Sequence, residues 1–124
     1  MTMPNIAARF LQQDWSAIPV EQVAEGITRQ MIHGDRLMVC RLTLAANIVT
    51  AVHSHPHEQI TLVERGAADF FVEGVKRTAR AGDVLLFPSN IQHGATMLDE
   101  EVVLIDIFSP VREEFLPDPR SVVR

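Results

Sequence analysis

A chain of 124 residues has room for one packed core but not for a catalytic domain plus a separate binding domain, so a single domain over 1–124 is expected. The formal net charge of −5 and the lack of any Lys/Arg-rich run argue against a nucleic-acid footprint. No apolar stretch is long enough to span a bilayer, and the start "MTMPNIAARFLQQDW" has neither a basic leader region nor a continuous apolar one, so a cytoplasmic protein without a membrane partner is expected.

In chain order, "IAARFLQQDW" (6–15) is compatible with a short helix, with residues 1–10 otherwise loose. From residue 37 onward, short apolar or alternating runs separated by turn signals read as strands: 37–44, 60–64, 68–72, 84–88 and 101–108. Gly66, Glu73-Gly74, Gly82-Asp83 and Asp99-Glu100 supply the turns. This spacing predicts an all-β fold, a small sandwich or barrel with its core over roughly 26–110. Cys40, the one cysteine, lies in "RLMVCRL", where a small buried hydrophobe is the expected role, and no internal disulfide can form.

The segment "HSHPHEQ" (53–59) sets His53, His55, His57 and Gln59 on alternate positions, which share a face in an extended chain. Pro56 interrupts the regularity and confines the segment to a strand end, edge or bulge, but His53 and His55 should still converge. A ligand-free surface triplet is the bland alternative. Both flanks are strand-like, however, with Val49, Ala51 and Val52 leading in and Ile60 and Leu62 leading out, so a rigid sheet would carry the imidazoles. Metal ligation is the reading this spacing favours, neutral imidazole being a common ligand for transition metals. Downstream, "GDVLLFPSNIQHG" runs from a turn through an apolar strand and Pro88 to His93, which a second strand could deliver to the same centre.

The strand "EVVLIDIF" puts Val102, Leu104, Asp106 and Phe108 on one face. An aspartate in such a run needs a cation, a hydrogen-bond network or a proton, and the choice between a structural Asp and a general acid or base stays open. Phe108 either covers a ligand ring or belongs to the core. In "SPVREEFL" (109–116), Ser109 suits a helix N-cap, Pro110 the first helical position, and Glu113 and Glu114 the first turn. Arg112 suits bidentate recognition of a carboxylate, or pairs with Glu113, Glu114 or Asp106. The ending "PDPRSVVR" offers little to pack, so 117–124 is expected to be loose.

Together these segments resemble the two motifs of the cupin superfamily, small double-stranded β-helix (jelly-roll) barrels with one internal metal site. The first motif is matched by His53, His55, Gln59 and Gly66, the second by Gly82, Pro88 and His93. Gln59 replaces the usual carboxylate, Asn47 and Asn90 stand where glycines are usual, and Met97 stands where the motif closes on asparagine. Asparagine tolerates left-handed backbone, so those two turns should survive. "DIFSPVREEFL" and "RAGDVLLFP" further resemble the KdgF family of pectin-degradation cupins, although Leu62 replaces a more usual tyrosine.

That resemblance implies one divalent transition metal (Ni, Zn, Fe, Mn or Co) on His53, His55, Gln59 and His93, with His57 outside the ligand set. A neutral amide leaves the ion's full double charge on the site, which suits polarising an oxygen of a substrate. The resemblance also implies Asp106 and Arg112 as catalytic residues and Phe108 and Arg112 as substrate contacts. The substrate would be a small sugar acid, a 4,5-unsaturated uronate from pectin or alginate, converted to a linear deoxy-keto uronate. It implies a homodimer as well. The rival readings are an Fe(II) cupin dioxygenase and a non-catalytic sugar-binding cupin.

Overall fold

The protein is described by a computed structural model covering residues 10–117. Ten strands run in the order β1 (Glu21–Ala24), β2 (Ile27–His33), β3 (Met38–Leu44), β4 (Val49–His53), β5 (Glu58–Arg65), β6 (Ala67–Val72), β7 (Val75–Arg80), β8 (Val84–Phe87), β9 (His93–Met97) and β10 (Val102–Ser109). They form a six-stranded sheet, β1-β2-β3-β10-β5-β8, and a four-stranded sheet, β4-β9-β6-β7. Every pairing is antiparallel, and the whole is the expected all-β jelly-roll barrel. Among the described residues no helix is long and apolar enough to cross a membrane.

The turns follow the sequence. Glu73 and Gly74 both have positive φ, 48° and 79°, the combination a two-residue hairpin needs between β6 and β7. Asn47 and Asn90, standing where glycines are usual, take φ of 64° and 67°. Gly66 also has positive φ, and a Cβ there would lie 2.5 Å from the Glu101 carbonyl oxygen, so the β5–β6 turn admits no side chain.

Two helical expectations change. Of the predicted N-terminal helix, residues 6–9 lie outside the described residues, 10–14 are not helical, and only a 3-10 turn at Trp15–Ala17 forms, capped by the Asp14 side chain accepting from the Ser16 N–H. Ser109 is not a helix cap. It is the last residue of β10, paired with Glu58 of β5, so the ladder claims it and the helical turn starts later, as a 3-10 segment at Glu113–Phe115. The expected loose ends fall, apart from Phe10 and Pro117, outside the described residues.

Two apolar clusters frame the interior. Leu44, Val63, Phe70, Phe87, Met97 and Leu104 belong to the larger, contributed by both sheets. Met38, Cys40, Phe108 and Val111 form the smaller, against which Phe115 packs. Cys40 is fully buried, and burial, with the Asp106 charge behind it, pushes its thiol up to about 12, so it is inert packing as expected.

Candidate metal centre

Register brings the histidines together. His53 ends β4 and His93 begins β9, and the two are direct cross-strand partners with ring centroids 4.5 Å apart. Gly94 eases this approach: a Cβ there would meet Val52 atoms at 3.1 Å, a tight contact between β9 and β4. His55 sits in the β4–β5 connection, where its carbonyl accepts from the Asn90 N–H at 2.8 Å, fastening the loop to the turn before β9. One ring nitrogen from each of His53, His55 and His93 lies within 4.8 Å of the others, an arrangement that can hold a metal ion. His57 stays outside this group.

Each of the three imidazoles is aimed by the main chain. His53 Nδ1 lies 3.0 Å from the Ala51 carbonyl oxygen, His55 Nδ1 3.0 Å from that of His57, and His93 Nδ1 2.9 Å from that of Ile91. A carbonyl only accepts, so all three Nδ1 atoms carry the proton and the Nε2 lone pairs face inward. Burial holds His55 and His93 below the usual histidine range, assisted at His55 by the Arg112 charge, which keeps both rings neutral and ligand-competent.

Two of those lone pairs lack donors. His93 Nε2 is buried without a hydrogen-bond partner among the described residues. His55 Nε2 faces Gln59 Oε1 at 3.0 Å, two acceptors confronting each other. A cation shared between them satisfies both, so three imidazole nitrogens and one amide oxygen fit a divalent transition metal.

Gln59 is buried on β5, opposite Phe87 of β8 and Phe108 of β10. Its Nε2 donates to Thr61 Oγ1 at 2.9 Å, and the Thr61 hydroxyl donates to Asp106 Oδ1 at 2.7 Å. Thr61 and Asp106 are direct cross-strand partners, which is why the contact is short. Asp106 is thus held by a hydroxyl, with the Arg112 charge nearby, yet burial outweighs both and raises its carboxyl to about 6.

A cavity of about 320 Å³ opens onto these groups, lined by His53, Gln59, His93, Asp106, Phe108 and Arg112 and floored by apolar residues such as Leu42 and Leu104. The Arg112 guanidinium lies over the Phe108 and Phe115 rings, at 5.1 and 4.2 Å, and pairs with Glu114 through Nε at 3.1 Å and Nη2 at 2.9 Å. Of the two readings of Arg112, the pairing is observed, with the half-exposed Glu114, and the guanidinium also lines the cavity. Phe108 is likewise both core and wall.

Among the cavity residues that sequence reading missed are Thr61 and Arg29. Thr61, fully buried, looks like any β-branched strand residue, though its place two positions after Gln59 puts both on one face. Arg29 of β2 also lines the cavity; its Nε donates to Glu21 at 2.8 Å and its guanidinium lies 4.2 Å from the Phe115 ring. Nothing in "EGITRQM" distinguishes it from an ordinary surface arginine.

Comparison with known proteins agrees with this geometry. The family model for the cupin domain matches residues 41–108. The pectin degradation protein KdgF of Dickeya dadantii (strain 3937) is 39% identical over 101 residues, covering 79% of this chain and 91% of that protein. Among solved structures, an RmlC-like cupin from Shewanella frigidimarina superposes with a TM-score of 0.79 at 31% identity, covering 84% of this chain and 94% of that one. KdgF from Halomonas sp. gives a TM-score of 0.76 at 34% identity, covering 79% of this chain and 91% of the other.

Proposed function

The chain belongs to the cupin family, and from that premise we propose that it is a metal-dependent enzyme of pectin degradation that opens 4,5-unsaturated uronates to linear deoxy-keto uronates. One observation carries the reading: a cavity lined by His53, Gln59 and His93, with His55 grouped beside them, also holds a buried carboxylate raised to about 6 and an arginine. His53, His55, Gln59 and His93 would hold the metal, which when bound supplies Lewis-acid polarisation of a substrate oxygen.

The substrate is a cyclic hemiacetal whose ring oxygen belongs to an enol ether conjugated with a carboxylate. Opening it moves one proton and no net electrons. The anomeric hydroxyl loses its proton as the bond from that carbon to the ring oxygen breaks; the former ring oxygen becomes a ketone as C4 takes up a proton. Asp106, with a carboxyl raised to about 6, accepts the first proton and can return it to the carbon. Arg112 takes the uronate carboxylate with the Nη1–Nη2 end that Glu114 leaves free, and Phe108 closes the wall beside it. The apolar lining excludes water, which strengthens each charge contact against the chain's overall negative charge.

The test is loss of the alkene absorbance when a metal-loaded preparation meets an unsaturated uronate. Oxygen consumption in place of that loss, or ligand-dependent stabilisation without turnover, overturns the reaction assigned here in favour of a dioxygenase or a binding protein.

The same reading includes a homodimer. The outer face of β5 and β8 places Ile60 opposite Leu86 and Leu62 opposite Val84, with Ile60, Leu86 and Val84 exposed by 37, 60 and 67%. Apolar pairs in adjacent rungs on an outer sheet face support packing against a second copy.

A further inference from the structure

Gln59 is the one donor of the four whose coordinating atom is ambiguous. An imidazole aimed by its Nδ1 bond can present only Nε2, but a carboxamide can present either its oxygen or its NH2 group at almost no cost in shape. The wrong choice is attractive locally: an NH2 turned inward would donate to the bare Nε2 of His55, 3.0 Å away, and would set hydrogens where a cation has to sit.

The hydrogen-bond chain behind Gln59 decides the matter. The Thr61 hydroxyl donates its single hydrogen to Asp106 Oδ1 at 2.7 Å, across the register that pairs the two residues. Thr61 Oγ1 then has only lone pairs left for Gln59 at 2.9 Å, and only the NH2 end can fill them. We propose that Thr61 is a positioning residue of the metal centre: by donating to Asp106 and accepting from Gln59, it fixes the amide orientation that turns Oε1 toward the imidazoles. The inference rests on the metal reading above and adds a determinant of metal affinity that is not itself one of the four ligands.

The test is metal binding, read separately from turnover. Metal-free protein is titrated with Co(II), whose visible spectrum reports the number and type of ligands. Wild type is expected to bind one equivalent. Thr61→Val, nearly the same shape but without the hydroxyl, is expected to bind about 10- to 100-fold more weakly with an unchanged fold by circular dichroism. Thr61→Ser should restore affinity. In a Gln59→Glu background both oxygens are ligands and orientation no longer matters, so Thr61→Val should there change affinity by less than about twofold.

Equal Co(II) affinity in wild type and Thr61→Val overturns the proposal while leaving the metal reading intact. A loss of the same size with and without the Gln59→Glu change also overturns it, since the threonine would then act through packing or through Asp106 alone. Absence of stoichiometric binding by wild type overturns the metal reading and this inference with it.

Discussion

Asp106 carries the sharpest residue-level expectations because its carboxyl is raised by burial while being used by its neighbours. Replacing it with Asn keeps an acceptor for Thr61 and removes the proton carrier. Turnover of an unsaturated uronate should fall by about 10²-fold or more with the fold intact, measured as the rate of alkene loss. The same change has a signed effect on stability in metal-free protein. The folded carboxyl titrates near 6 and the unfolded one near 3.8, so between those values the native state keeps a proton that the unfolded chain has released. This contribution is fully present below about pH 4 and is lost as pH rises through about 6, worth roughly 3 kcal/mol for a shift of about two units. Urea unfolding should therefore show Asp106→Asn gaining on wild type from pH 4 to pH 7; a constant difference between the two would contradict the raised carboxyl. Arg112→Ala should act differently, raising KM for the anionic substrate about tenfold or more, and Arg112→Lys should rescue it poorly because an ammonium lacks the planar fork.

At the scale of the element, the strands legible in the sequence were those with a clean buried face: β3, β5, β6, β8 and β10. β7 escaped because it is an edge strand on which only Ala79 is buried, and β1 because none of its residues is. β9, "HGATM", is buried nearly throughout but built of small residues after a turn-rich stretch, so no alternation announces it. The three histidines were legible through their spacing and their likeness to a family motif. Thr61 was not, because its role exists only once register sets it beside Asp106. Gly94 belongs at this scale too. A methyl group there would press on Val52 and ask β4 to give by a few tenths of an ångström, so Gly94→Ala should weaken Co(II) binding, by shifting His53 relative to His93, more than it lowers stability. The outer face of β5 and β8 gives a further expectation. Leu86→Glu should leave the fold intact yet shift the protein from dimer to monomer by analytical ultracentrifugation, because that side chain is 60% exposed in the single chain.

For the whole molecule, the candidate metal ligands span the two sheets: His53 and His93 come from the four-stranded sheet, and Gln59 from the six-stranded one. A ligand that binds only the folded state and ties both sheets should raise the unfolding temperature, and stripping the metal with a chelator should lower it by several degrees, reversibly on adding the ion back. The barrel itself should persist without the metal, since two apolar clusters and paired strands frame the site on their own. A further consequence lies in how the imidazoles are aimed. Each is steered by a peptide carbonyl two positions away in its own segment, Ala51, His57 or Ile91. Since no part of that aiming needs an ion, the rings should already hold their poses in the apo protein, and a bound metal should exchange without the barrel refolding.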